Sequence, residues 1–549
     1  MFKHHFIRKI FTAAAVSAII TAAASIHSSA VVRDRKGDIN TDGEVNSVDL
    51  SIMSLYLSGR ADISKQGFLN SDMDGDGTVD SLDLIKLRRY IISEKEQKES
   101  TATSLSLSII GTAIAAPING GYPLVSGAPA TTVTTAVSGD GFIKAPLSDM
   151  QGSLASQGTG RVCIFYVDFP DCPFSYEPTM AEVENAAFAD EDTDSDSFPH
   201  ESINAFYKRS SKGCVELSGN AYRYTTKRYK DAYENDVYKL RLIDELLTNM
   251  DDTVDFTGFN GNGDDTVDAI IICVPKAAGD ENWWPCAGQY AGSLIEELDG
   301  LSLGHIIVGN AEITGENDNS NFVASYIHEL GHCMGLPDYY LYGRYGAEGL
   351  HGIAGFDTMD ELYSDFSCAS KLMLGWYKNS QVQVYDYNGP SQQTFTLTDG
   401  QSDEGNCVII PYQNELDGNY CSEYLIMEYS TLNNNNRDLR SVYWWLNLGS
   451  GVRIFHVNAA AEEVNGKKDL AYKNGKEESD NDLRGRRFIR LVNDGAEDNF
   501  FYQGNAVTYG IPGFAFYTCT GEEYVDPNVD IFIGELKDGS YNITICKKG

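Results

Sequence analysis

Two histidines four residues apart, His328 and His332, flank Glu329 in the run "HELGHCMGLPD", which closes on Asp338. Residues four apart share one face of a helix, so both imidazoles can reach a single ion. Glu329 is offset enough to meet a water on that ion rather than the ion itself. Val323, Ile327, Leu330 and Met334 form the apolar stripe of an amphipathic helix around them. Gly335 suits a left-handed helix end, and Pro337 pushes Leu336 out of helix. The chain then turns, and Asp338 can come back as a third ligand. Three ligands and an open fourth position are what a catalytic zinc needs. The ordinary alternative, two satisfied core histidines, is weakened by the length of the HExxHxxGxxD pattern. The expected chemistry is peptide-bond hydrolysis, with a water activated near neutral pH and Glu329 as general base.

A second set of oxygen donors lies near the N-terminus, in a tandem duplication. Asp38, Asn40, Asp42, Asn46 and Asp49 fall at loop positions 1, 3, 5, 9 and 12. Asp72, Asp74, Asp76, Asp80 and Asp83 repeat that spacing, with Gly43 and Gly77 at position 6. This is the pattern of two calcium loops with Asp at position 12. An apolar helical pattern follows each loop: Leu50, Met53, Tyr56 and Leu57, then Leu84, Leu87 and Ile91. Two loop-helix units in residues 33–97 resemble a dockerin, a small all-α module. That resemblance implies a cohesin domain of a scaffolding protein as partner. It implies contact through Ser47, Val48, Ser81, Leu82, Arg88 and Arg89. Asn260, Asn262, Asp264 and Asp268 resemble a further, partial calcium loop, in which position 6 lacks Gly and position 12 is Ile271.

The elements that must carry these residues are spread over 549 residues, too many for one core. The formal net charge of −37 disfavours nucleic acid and anionic membranes as partners. A basic start, an apolar run from Ile10 to Ile26 and the small residues Ser28 to Ala30 read as a signal peptide over 1–30. Secretion is therefore expected, without membrane insertion. The eleven cysteines are scattered singly, mostly in apolar runs, and read as buried thiols. Residues 98–159, poor in charge and rich in Ser, Thr, Ala and Gly, read as a linker or pro-segment.

Residues 160–380 are similar to immune inhibitor A-type secreted metalloproteases, and the pieces come in family order. These are "RVCIFYVDFPD" from Arg161, "SINAFYKRSSKGCVELSGNAYRY" from Ser202, "DFTGFNGNGDDTVDAIIICVPK" from Asp255, the HExxH run, "GFDTMD" and "ASKLMLGWY". The similarity continues through "SEYLIMEYS" and "GSGVRIFHVNA", to about Ala460. It implies a metzincin-like α/β domain with Asp338 as third zinc ligand and Met359 as the hydrophobic floor of a methionine turn. Phe356 stands where the family usually has Trp. Related folds recruit a more distant carboxylate, which leaves Glu348, Asp357 and Asp360 open as ligands, and Tyr363 open as a helper at the reacting carbonyl. Short strand-like runs separated by turn residues make 381–549 a β-rich segment. The expected architecture is thus multidomain α+β, and the expected function is a secreted zinc endopeptidase docked on a scaffold and acting on protein or peptide. The alternative from another class is a non-catalytic module, on a protease-like fold, that binds protein or glycoprotein.

Overall fold

A computed structural model describes residues 35–41, 43, 45, 49, 52–53, 56, 63–73, 79 and 87, and most of 141–548. The exceptions in the second stretch are 151, 235, 237, 277–282, 316–318, 341–351, 401, 417, 438–448, 465–466, 474–486, 494–498 and 518–523. The chain divides into two compact units, Met1–Ser126 and Gly127–Gly549. Among the described residues no helix is long and apolar enough to cross a membrane. The signal segment 1–30 and residues 98–140 of the expected linker lie outside the described residues.

In the first unit a short helix, Lys65–Ser71, leads into the second calcium loop. The apolar pattern that follows the loops gives no sign of it. Ser64 caps this helix by accepting from Gly67 N at 2.9 Å. Asn70 bridges back to the first loop: its carbonyl accepts from Gly37 N, and its Nδ2 donates to Asp38 O at 2.6 Å. Ile39, Met53 and Leu87 are buried.

The second unit is layered. β1 (Gly158–Asp168), α1 (Met180–Phe188), α2 (Ile203–Ser210), β2 (Val215–Thr225), α3 (Leu240–Met250), β3 (Ala269–Cys273), β4 (Cys286–Gln289) and β5 (His305–Gly309) come first. Their sheet has the order β2-β1-β3-β5-β4, parallel except for the edge strand β4. β1 and β3 are almost continuously apolar because both of their faces are covered. Phe165, Val167, Ile270 and Ile272 face α3. Val162, Ile164, Tyr166 and Ile271 face α4 (Ser320–Cys333), with which α2 and α5 (Cys368–Met373) share the layer.

Beyond the helices, β6 (Val382–Val384), β7 (Gln392–Thr398), β8 (Cys407–Pro411), β9 (Glu423–Ser430), β10 (Gly451–Asn458) and β11 (Ile489–Leu491) follow. The last strands are β12 (Ala506–Val507), β13 (Val529–Lys537) and β14 (Ser540–Lys547). They form two stacked sheets, β11-β10-β9-β8-β6 and β12-β13-β14-β7. Ile409, Tyr424, Ile426 and Phe455 point into the core that holds α4, so the chain on both sides of 380 shares one apolar interior. Alternate residues Val408, Ile410, Leu425 and Met427 face the outer sheet. The end of the expected linker also belongs to this core. Ile143, Leu147 and Leu154 are buried in it, and Ser153 N and Leu154 N both donate to Cys333 O at 3.0 Å. Cys163, Cys273, Cys333, Cys368 and Cys407 are buried free thiols.

Candidate metal centre

Beyond its open first turn at Ser320 and Asn321, α4 is buried except at the half-buried His332. Its end is set by local chemistry. Gly335 takes φ +101°, Gly335 N donates to His332 O at 2.9 Å, and Leu336 N donates to Gly331 O at 3.1 Å. This pair of bonds is a Schellman ending. It folds the chain back so that Leu336 O accepts from His332 Nδ1 at 2.7 Å. Two residues on, Asp338 faces the helix it has just left.

His328 Nδ1 donates to Thr358 O at 2.7 Å. A carbonyl can only accept, so both rings carry hydrogen on Nδ1 and turn a lone pair outward at Nε2. Both Nε2 atoms lie 3.1 Å from the same oxygen, Asp338 Oδ1. Three acceptors therefore converge, buried or nearly so, with ligand atoms within 4.8 Å of one another. A proton or a cation must stand between them. Burial pulls the His328 imidazole down, but the bond to Asp338 and the charges of Glu329 and Asp338 outweigh it and raise the ring to about 9. Burial works the other way on Asp338, and the two histidines overcome it, holding the carboxyl well below the usual range. The donor set, two imidazoles and one carboxylate, fits zinc.

Glu329 is 4% exposed, and its Oε2 accepts from Ala287 N of β4 at 2.7 Å. Met359 is fully buried under α4, directly beneath Gly331. The two described alternative carboxylates are turned elsewhere. Asp357 accepts from Met359 N, Ser367 N and Ser370 Oγ. Asp360 accepts from Ile353 N and Gly355 N. Both bind the turn that carries Met359, and Glu348 lies outside the described residues. Tyr363 packs edge-on against His200 and does not line the cleft. His456, from β10, is buried far along the second sheet, with Nε2 2.7 Å from Glu423 Oε1. Cys333 is buried, in keeping with a packing role.

The centre opens into a cleft of about 680 Å³. Its walls include residues that local sequence does not mark: Trp284, Pro285 and Ala287 by the edge strand, His305, and Asp469 with Lys473 from the C-terminal part. Trp284 is 71% exposed. The ring of Tyr340 stacks over His328 at 6.2 Å. The one available signal was the aromatic and proline cluster "NWWP", which has no periodicity to place it.

In the first calcium loop Asp38 is fully buried, with Oδ2 accepting from Gly43 N at 2.9 Å and Oδ1 left without a partner. Asp49 Oδ1 accepts from Ile39 N and Asn40 N. Gly43 takes φ +92°, the sharp turn that position 6 demands. Asp72 pairs with Lys36 at 3.9 Å. Asp42, Asn46, Asp74, Asp76, Asp80 and Asp83 lie outside the described residues, as do Ser47, Val48, Ser81, Leu82, Arg88 and Arg89.

Residues 36–92 match the dockerin type I domain. No curated protein matches the chain. Residues 36–92 are thus a dockerin module, which implies bound calcium, a cohesin domain as partner and an extracellular, cellulosome-type assembly.

Proposed function

We propose that the protein is a secreted zinc endopeptidase of the immune inhibitor A type, held on a scaffold by its dockerin module. The observation that carries this reading is the convergence of His328 Nε2, His332 Nε2 and Asp338 Oδ1, with both Nδ1–H groups committed to carbonyls. These three atoms would hold the ion. Zinc, when bound, lowers the pKa of a water to about 7 and polarises a carbonyl.

The chain's own groups do the rest. Glu329 takes the proton of the attacking water and returns it to the departing amine. Ala287 N orients that carboxylate. Among the described residues β4 pairs only with β5, and it borders the cleft, so its other edge can take an extended peptide as an added strand. That geometry suits a protein substrate. The carbonyl of Thr358 fixes the His328 ring, the carbonyl of Leu336 fixes that of His332, and Met359 packs beneath Gly331 of the same helix.

The test is zinc content and casein cleavage for wild type and Glu329→Ala. Zinc in both, with cleavage by wild type alone, supports the reading. Zinc in both with no cleavage by either supports a non-catalytic binding module. Absence of zinc from both refutes the metal centre.

A further inference from the structure

The loop between the short helix Phe256–Phe259 and β3 takes no part in this chemistry, yet it buries a carboxylate that is only half bonded. Asp268 is fully buried. Its Oδ2 accepts from Arg161 N at 2.8 Å and from Gly261 N at 3.0 Å. Its Oδ1 is buried with no hydrogen-bond partner. Burial first, and then the charge of nearby Asp264, push this carboxyl up to about 6 against the pull of the two N–H groups. A second carboxylate therefore adds to the cost that a cation would relieve.

Oxygen-bearing side chains recur on alternate residues of the same loop. Asn260 Oδ1 accepts from Gly263 N at 2.8 Å, Asn262 Oδ1 from Asp264 N at 2.9 Å, and Asp264 Oδ1 from Thr266 N at 2.7 Å. All three oxygens are curled toward the loop's own backbone. We propose that Asn260, Asn262, Asp264 and Asp268, with the main-chain carbonyl of Thr266, bind a calcium ion. They fill loop positions 1, 3, 5, 9 and 7 in turn. Two carboxylates balance the charge of the ion, and the neutral amide oxygens suit a hard cation. Position 12 is Ile271, buried in β3, so no bidentate carboxylate closes the shell. Water completes it, and the affinity falls in the range of extracellular calcium modules, about 0.1–1 mM.

The site is wired to the metal centre. Ser153 Oγ donates to Asp268 O at 2.7 Å and accepts from His305 N at 2.9 Å. Ser153 N in turn donates to Cys333 O, at the last residue of α4. Calcium thus stiffens the support of the cleft.

All five tryptophans lie between residues 283 and 445, so their fluorescence reports on the large unit and not on the dockerin module. The test is tryptophan-monitored thermal unfolding of the full chain across about 0.05–10 mM calcium. The midpoint should rise in wild type and in Asp38→Ala, and should not rise with magnesium. It should stay flat in Asp264→Ala, whose exposed side chain makes folding safe, and in Asp268→Asn. A flat wild-type response, or a rise in Asp264→Ala equal to that of wild type, overturns the site. Neither result depends on whether the protein cleaves peptides.

Discussion

Replacing Gly331 with alanine places a Cβ 2.5 Å from Met359 Sδ and 3.4 Å from its Cε. Met359 cannot retreat freely. It is fully buried, its N donates to Asp357 Oδ1 at 2.8 Å, and its O accepts from Tyr339 N at 2.8 Å. Phe366 Cε1 lies 3.7 Å from the same Cβ. Overpacking of this kind costs about 1–3 kcal/mol. Alanine's better helix propensity offsets roughly 1 kcal/mol of that. With an approach this close the upper part of the range applies, so Gly331→Ala should destabilise by about 1–2 kcal/mol. Urea unfolding of wild type, Gly331→Ala, Met359→Ala and the double variant measures it. In the double variant the new methyl enters space that Met359 has left, so the two penalties should fall short of adding by about 1 kcal/mol or more. Zinc affinity should fall in Gly331→Ala too, because the strained turn carries Thr358 O, which holds His328. A midpoint for Gly331→Ala equal to or above that of wild type would mean that propensity alone is felt, and would refute the packing of Met359 beneath α4.

Glu329→Gln should keep zinc and lose about 10²–10⁴-fold in kcat/KM, read in a peptide cleavage assay. Asp338→Asn weakens the ligand set, and zinc titration should show lower affinity with the fold retained by circular dichroism. In metal-free protein His328 is raised from 6.5 to about 9, so its stabilising contribution is complete below 6.5 and lost as pH rises through 9. At about pH 7.5 zinc must therefore displace a proton. Calorimetry should give binding enthalpies that differ between phosphate and Tris; equal enthalpies would refute it. Chelation of calcium should abolish capture of the full chain by an immobilised cohesin, and Asp38→Ala should weaken it, since Asp38 is buried at the first loop.

Local spacing carries information that survives any tertiary arrangement, and here it reached far. A separation of four puts His328 and His332 on one helical face, whatever the helix packs against. The Gly335 ending returns Asp338 to that face through bonds that close within a few residues. The calcium loops are legible for the same reason, because ligands and turn glycine lie within a dozen residues. The run of strands after 381 could also be read from alternation and turn residues. Long-range placement was not legible. Ala287 meets Glu329 only because β4 runs antiparallel at the edge of a parallel sheet. Asp469 and Lys473 reach the same cleft from the C-terminal part of the chain, far from the histidines in sequence. The choice among Asp338, Asp357 and Asp360 also waited on the fold. All three are buried acids, and only the main-chain partners around the methionine turn show that Asp357 and Asp360 are turned toward that turn while Asp338 meets the histidines. Sequence settles what lies within a helical turn or a loop, because covalent connection alone holds it there. Walls, floors and the direction of a buried carboxylate depend on which distant segments share a core, and only packing decides that.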